Sequence, residues 1–185
     1  MAVATKDVSR ELARAIGAEK VDDSKPTLIA YRIAHGQEAF LHDLDYFTPG
    51  VVVWPESVAD VQKIVQIANE TRVPVVPVGG RTGSYGAEAM KGCIVVDLAR
   101  MNKIIEFDEG KLRFTAEAGI RIADLSDYLA KRGYLLLDIP SMTKVSLLGS
   151  RAALHGYNKF ENRWGSTAQY IKGLEIVLPT GEVVQ

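Results

Sequence analysis

Apolar residues first keep a helical spacing at 7–16, where Val8, Leu12, Ala15 and Ile16 line one face and Gly17 supplies a stop. Residues 21–50 mix prolines, aspartates and aromatics without a period, which predicts an irregular surface arm. The pattern sharpens at Val51. Val51 to Trp54 reads as a strand, and Ser57, with Asp60 three residues on, caps a helix whose apolar stripe is Val58, Val61, Ile64, Val65 and Ala68. After Pro74, Val75 to Val78 reads as a strand parallel to the first, completing a β-α-β unit, and Ile94 to Leu98 as a third strand. Lys103 to Phe107 and Lys111 to Ala118 form two short strands around an Asp108-Glu109-Gly110 turn. A helix over 121–132 follows, carrying Ile122, Leu125 and Leu129 on one face and stopped by Gly133. Tyr134 to Leu137 reads as a strand, 140–165 as irregular, and Leu174 to Leu178 as a strand turning through Pro179-Thr180-Gly181 into Val183 and Val184. A hairpin that meets the chain end in this way is expected to belong to a larger unit or to lean on another subunit. No internal repeat is present.

Composition narrows the class. The 185 residues, 47% hydrophobic, suffice for one domain or for two small lobes sharing a ligand. A net charge of −1 provides no broad cationic field, so nucleic acid and anionic membranes are poor partners, and any anion must be held by local geometry. Cys93 is the single cysteine, in an apolar run, and reads as a buried structural thiol in a reducing compartment. The N-terminus lacks an apolar signal core and no run reaches membrane-spanning length, so the expected location is the cytoplasm. His35, His42, Asp43 and Asp45 read as a solvated loop, since no second group of ligands accompanies them, and no metal is expected.

The chemistry concentrates between the second and third strands. Residues 77–86 hold Gly79, Gly80, Gly83 and Gly86 with Arg81, Thr82, Ser84 and Tyr85. Glycines let consecutive N–H groups converge on phosphate oxygens, and Arg81 adds a fixed charge. A glycine-rich surface turn is the plain alternative. Spacing excludes three other loops. Gly80, Gly83 and Gly86 fall at steps of three and lead to a strand, so a Rossmann fingerprint fails. No Lys-Ser/Thr pair follows, so a P-loop fails. Thr82 stands where a serine-hydrolase elbow needs glycine before Ser84.

Four segments carry a family resemblance that extends over about residues 7–185. These are Pro49-Gly50-Val51-Val52-Val53-Trp54-Pro55-Glu56-Ser57; the loop at 77–86; Asp97-Leu98 with Met101-Asn102-Lys103-Ile104 and Ala118-Gly119; and Leu148-Gly149, Gly156, Trp164-Gly165 and Gly173-Leu174-Glu175 through Gly181. Together they resemble the FAD-binding domain of the vanillyl-alcohol oxidase and p-cresol methylhydroxylase (PCMH-type) superfamily, which includes glycolate oxidase and D-lactate dehydrogenase subunits. The resemblance implies an α+β fold in which a small parallel α/β lobe packs with a mostly antiparallel α/β lobe and FAD lies between them. On this reading residues 1–46 form a helix and arm. Residues 47–185 form the PCMH-type domain, with lobes of about 47–100 and 101–185 and the C-terminal part incomplete.

By matched position the resemblance assigns Val78, Gly79, Gly80, Arg81, Thr82 and Gly83 to the FAD diphosphate. It assigns Pro140, Ser141, Met142, Gly149, Ala153 and Gly156 to the remaining contacts, and Ile171 to the flavin side. The implied function is an FAD-dependent oxidoreductase passing hydride from a 2-hydroxy acid or a para-substituted phenol to flavin N5. The alternative is a non-catalytic or electron-relay subunit that needs a partner chain or a missing cap domain, or a degenerate homologue. Departures matter. Many glycolate-oxidase-like members carry Arg-Gly-x-Gly-Thr-Gly, whereas here Arg81 sits further along the loop. Tyr85 looks closer to the phenol-oxidising branch, and the arm closer to the hydroxy-acid branch. Leu148-Gly149-Ser150 keeps one glycine of the usual pair. The first loop has neither histidine nor cysteine, so FAD is expected to be noncovalent. The catalytic residue stays unknown; Tyr85, Ser141 and His155 are the candidates, each with an ordinary packing or turn role as its alternative.

Overall fold

Four strands order the first part of the chain. The computed structural model describes residues 5–32, 43–82, 89–154 and 157–185. It divides into two compact units: Met1–Val78, Gly83–Asp97 and Glu175–Gln185 form the first, Gly79–Thr82 and Leu98–Leu174 the second.

In the first unit, α1 (Thr5–Ile16) buries Val8, Leu12 and Ile16, as its spacing predicts. β1 (Val21–Asp22) and α2 (Lys25–Ala30) follow, then β2 (Val51–Val53), α3 (Val58–Thr71), β3 (Val75–Val78) and β4 (Ile94–Asp97). The sheet order is β1-β2-β4-β3, with β1 antiparallel and the rest parallel. β2 and β3 are therefore parallel but not neighbours, because β4 inserts between them. Its four residues are all buried, which suits a central strand covered on both faces. The residues 21–50, read as irregular, hold β1, α2 and a 3-10 turn, Leu44–Phe47, in their described parts. Elements of two to six residues are too short to show a period. A polar chain ties this arm down: Trp54 Nε1 donates to Tyr31 Oη at 3.1 Å, and Tyr31 Oη donates to Asp97 Oδ2 at 2.5 Å. Around it pack Val52, Val76, Val78, Ala89, Cys93 and Val95. Burial pushes the free Cys93 thiol above its ordinary value.

Ser57 caps α3 as predicted, its Oγ accepting from the Asp60 N–H at 3.1 Å. The Asp60 carboxylate turns to Lys20 Nζ at 2.9 Å and to the Glu56 N–H at 3.0 Å. β7 (Ile176–Val177) and β8 (Val183–Val184) pair antiparallel, and α3 holds their turn through Gln62 Nε2 to Gly181 O at 2.8 Å and Asn69 Nδ2 to Pro179 O at 2.7 Å.

In the second unit, β5 (Ile104–Asp108) and β6 (Arg113–Ala116) form an antiparallel hairpin whose register shifts between Ile104 and Glu106. α4 (Ile122–Ala130) lays Ile122, Leu125 and Leu129 into a core with Ile120 and Leu136. Tyr134 to Leu137 forms no strand. Leu136 is buried and Leu135 exposed, an alternation without a ladder partner, while Tyr134 meets the Phe107 ring edge-on at 5.1 Å. The stretch expected to be irregular contains α5 (Leu148–Leu154) and α6 (Glu161–Trp164), and α7 (Thr167–Tyr170) follows.

Asp60 makes a pH prediction. Desolvation pushes its pKa up, but the Lys20 ammonium and the Glu56 N–H outweigh that and hold the carboxyl below its ordinary value. A depressed folded-state pKa contributes stability above the unfolded value of about 4 and loses it as pH falls through the folded value. Urea midpoints measured from pH 7 to pH 2 should drop more steeply for the wild type than for Asp60→Asn, the two converging in acid.

Candidate functional site

β3 ends at buried Val78 and the chain continues as Gly79–Thr82, within the second unit. Gly80 lies so close to the turn at 142–146 that a Cβ there would fall 1.9 Å from Val145 O, far inside contact distance. A Cβ on Gly79 would fall 2.9 Å from Ser150 Cβ. The loop main chain is thus pressed against the backbone at 145–150, and only glycine fits at 80. Among the described residues no acceptor pairs with the N–H of Gly79, Gly80 or Thr82. Arg81 is exposed and holds the left-handed conformation at φ 52, rarely occupied by a residue with a side chain.

The opposing turn is firmly built. Val145 and Ser146 N–H both donate to Met142 O, at 3.1 and 2.9 Å, and Thr143 Oγ1 donates to Pro140 O at 2.7 Å. Pro140 is buried, while Ser141 and Met142 are exposed. On its C-terminal side, Gly149 N–H donates to Ala118 O at 2.7 Å, and a Cβ on Gly149 would sit 2.8 Å from Ala118 Cβ.

The second unit also holds a buried polar network that sequence reading missed. Arg151 on α5 makes a bidentate pair with Asp138, Nε to Oδ2 at 3.0 Å and Nη2 to Oδ1 at 2.7 Å, both side chains more than nine-tenths buried. Arg151 Nη2 also donates to Tyr157 O and to Thr167 Oγ1, which donates to Asp138 Oδ1 at 3.0 Å. Asn158, 1% exposed, accepts on Oδ1 from the Ile139 and Phe160 N–H groups, each at 3.1 Å. Its Nδ2 has no partner among the described residues. The only sequence hint was an aspartate ending the apolar run at 134–138.

The structure therefore brings Gly79 and Gly80 beside the 142–150 segment that contains Met142 and Gly149. Ala153 is exposed on α5, and Ile171 is half-buried just after α7. Gly83, Tyr85, His155 and Gly156 lie outside the described residues, as do His35 and His42.

The family of FAD binding domains matches residues 49–185. The chain belongs to this family. Glycolate oxidase subunit GlcD of Bacillus subtilis is 30% identical over 182 residues, covering 98% of the chain and 37% of that protein. D-lactate dehydrogenase of Anaerostipes hadrus is 32% identical over 138 residues, 74% of the chain and 29% of its own length. The chain thus spans well under half the length of these relatives. Among solved structures, 4-ethylphenol oxidase of Gulosibacter chungangensis, in complex with isoeugenol, aligns with a TM-score of 0.77 and 27% identity over 97% of the chain and 34% of its own. Alkyldihydroxyacetonephosphate synthase aligns at 0.86 with 23% identity, a likeness of fold. The PCMH-type assignment and the mixed α and β architecture follow from these matches.

The residues of this FAD-binding domain fit its cofactor. Amides at Gly79, Gly80 and Thr82 without an acceptor among the described residues are donors of the kind a diphosphate would need.

The buried ion pair supplies a stability test. Arg151→Met strands the Asp138 carboxylate, and removing one partner of such a pair costs about 3–5 kcal/mol. Urea denaturation should report a loss of that size, with Asp138→Asn in the same background recovering part of it.

Proposed function

We propose that this chain is the cofactor-holding part of an FAD-dependent oxidoreductase acting on a small organic alcohol, a 2-hydroxy acid in preference to a para-substituted phenol. The observation that carries this reading is the loop after β3, where the amides of Gly79, Gly80 and Thr82 have no acceptor among the described residues and Gly80 leaves no room for a side chain, in a member of the FAD-binding family. FAD, when bound, would supply the two-electron acceptor for oxidation of the alcohol to a carbonyl.

The chain contributes placement and charge compensation. Val78 to Gly83 hold the diphosphate through main-chain N–H groups, with Arg81 as counter-charge. Pro140, Ser141, Met142, Gly149, Ala153 and Gly156 make the remaining contacts, and Ile171 meets the flavin side through its backbone. The Arg151–Asp138 pair anchors the chain at Asp138, next to the 139–142 segment that would contact FAD. FAD is held noncovalently. Ser141, exposed on its turn, is the described candidate for a hydrogen bond that tunes the ring.

The 2-hydroxy acid preference rests on relatives named for glycolate, D-lactate and D-2-hydroxyglutarate, the last at 33% identity in Stutzerimonas stutzeri. A second reading, an FAD-binding subunit that needs a partner chain or a further domain for catalysis, is favoured by a relative named as a subunit. We place the protein in the cytoplasm, where the free thiol of Cys93 remains reduced. No helix of the described residues is long and apolar enough to cross a membrane.

Absorbance and flavin fluorescence test this reading. The purified chain should acquire flavin bands with added FAD. Bleaching by D-lactate or glycolate supports the enzyme, and flavin without bleaching supports the partner-dependent subunit. A sample that rejects FAD overturns both. Gly80→Ala, which drives a methyl group into Val145 O, should raise the FAD dissociation constant at least about tenfold, about 1.4 kcal/mol.

A further inference from the structure

The stretches assigned above to the parts of FAD beyond its diphosphate are 140–142, 149–156 and Ile171. In their described parts none of them carries a strand, so no β-ladder ties one to another. The helices that belong to them, α5 and α7, run for seven and four residues, too short to hold a direction by their own hydrogen bonds. Buried side chains join them. Arg151 lies on α5 between Gly149 and Ala153, Asp138 just before 140–142, and Thr167 opens α7, which leads to Ile171. The guanidinium meets both of the others: Nε and Nη2 donate to the Asp138 carboxylate, and Nη2 donates to Thr167 Oγ1 at 3.2 Å. Thr167 Oγ1 closes the triangle by donating to Asp138 Oδ1 at 3.0 Å. Tyr157 O, next to Gly156, accepts from Arg151 Nη2 at 3.1 Å.

This triangle suits placement more than stability. Replacing a buried ion pair by apolar groups of the same volume is often neutral or stabilising, so net energy does not account for burying one here. Its geometry is exacting, because a planar fork meets a carboxylate edge to edge, and a shift of any corner leaves a charged or polar group unpaired inside the protein. Each corner stands beside a different cofactor segment. We propose that Arg151 and Thr167 are positioning residues for the cofactor: acting through Asp138, and without touching FAD, they fix 140–142, α5 and Ile171 relative to one another before it binds. The inference rests on the FAD reading above and adds to it two buried side chains that no cofactor contact would reveal.

Thr167→Val keeps the shape of the side chain, removes its hydroxyl and leaves the Arg151–Asp138 pair in place, whereas Thr167→Ser returns the hydroxyl. Thr167→Val should raise the FAD dissociation constant about tenfold and shift the visible bands of the bound flavin, and Thr167→Ser should restore both. Arg151→Lys keeps the charge that faces Asp138 but loses the fork, and should weaken FAD binding in the same way. A role confined to stability would lower the urea midpoint and leave the FAD affinity of the folded protein and its flavin bands as in the wild type. That result in either folded variant overturns the inference while FAD binding stands. Should neither variant fold, amide hydrogen exchange of the wild type decides: peptides spanning 138–142 and 166–171 should exchange slowly in the apoprotein, before FAD is added. Exchange at the unprotected rate, slowed only by FAD, shows that the cofactor orders these segments and overturns the inference. Failure of the wild-type chain to bind FAD defeats the underlying reading instead.

Discussion

The contact between the Gly80 main chain and the Val145 carbonyl is the constraint from which the site follows. A side chain at 80 would overlap that oxygen, so the loop after β3 approaches as bare backbone, and among the described residues the N–H groups of Gly79, Gly80 and Thr82 have no acceptor. A dinucleotide bridge bears two negative charges in a protein with a net charge of −1, and no long-range field compensates for them. Close, oriented N–H dipoles would be the device for such a bridge, and they work only when the main chain is held in place. The turn at 142–146, closed on Met142 O by two amides, supplies that support.

Much of this was legible in the sequence. Glycines at 79 and 80 between two apolar runs suggested a backbone approach to a ligand, and what the structure shows is their approach to the backbone at 145–150; the stripe of α3 with its Ser57 cap announced the helix between β2 and β3. Strand order was not legible. The period of a strand reports how many faces are covered, not which neighbour it takes, so the insertion of β4 between β2 and β3 needed coordinates. Tyr134 to Leu137 failed for a related reason: its alternation reports burial of Leu136, and burial can be met without a ladder.

The polar network of the second unit was invisible for another reason. Asp138, Arg151 and Thr167 lie on three separate segments with no shared period, and each alone resembles an ordinary surface residue. Their burial becomes tolerable only together, since carboxylate, guanidinium and hydroxyl satisfy one another. Such a network does little for net stability, but it penalises misplacement of the 138–142 segment, as any shift strands a charge.

The hydrogen bond from Gln62 to Gly181 joins residues 119 apart. The first unit is discontinuous along the chain, with the whole 98–174 stretch inserted between β4 and its final hairpin. During synthesis, α3 emerges from the ribosome long before the residues that seat beside it. The inserted segment, built mainly from local hairpin and helix contacts, can order first, whereas the enclosing unit must wait for its tail. Premature termination within residues 98–174 would release a polypeptide lacking the residues that Gln62 and Asn69 hold, with α3 uncovered along this edge and a natural target for chaperones and proteases.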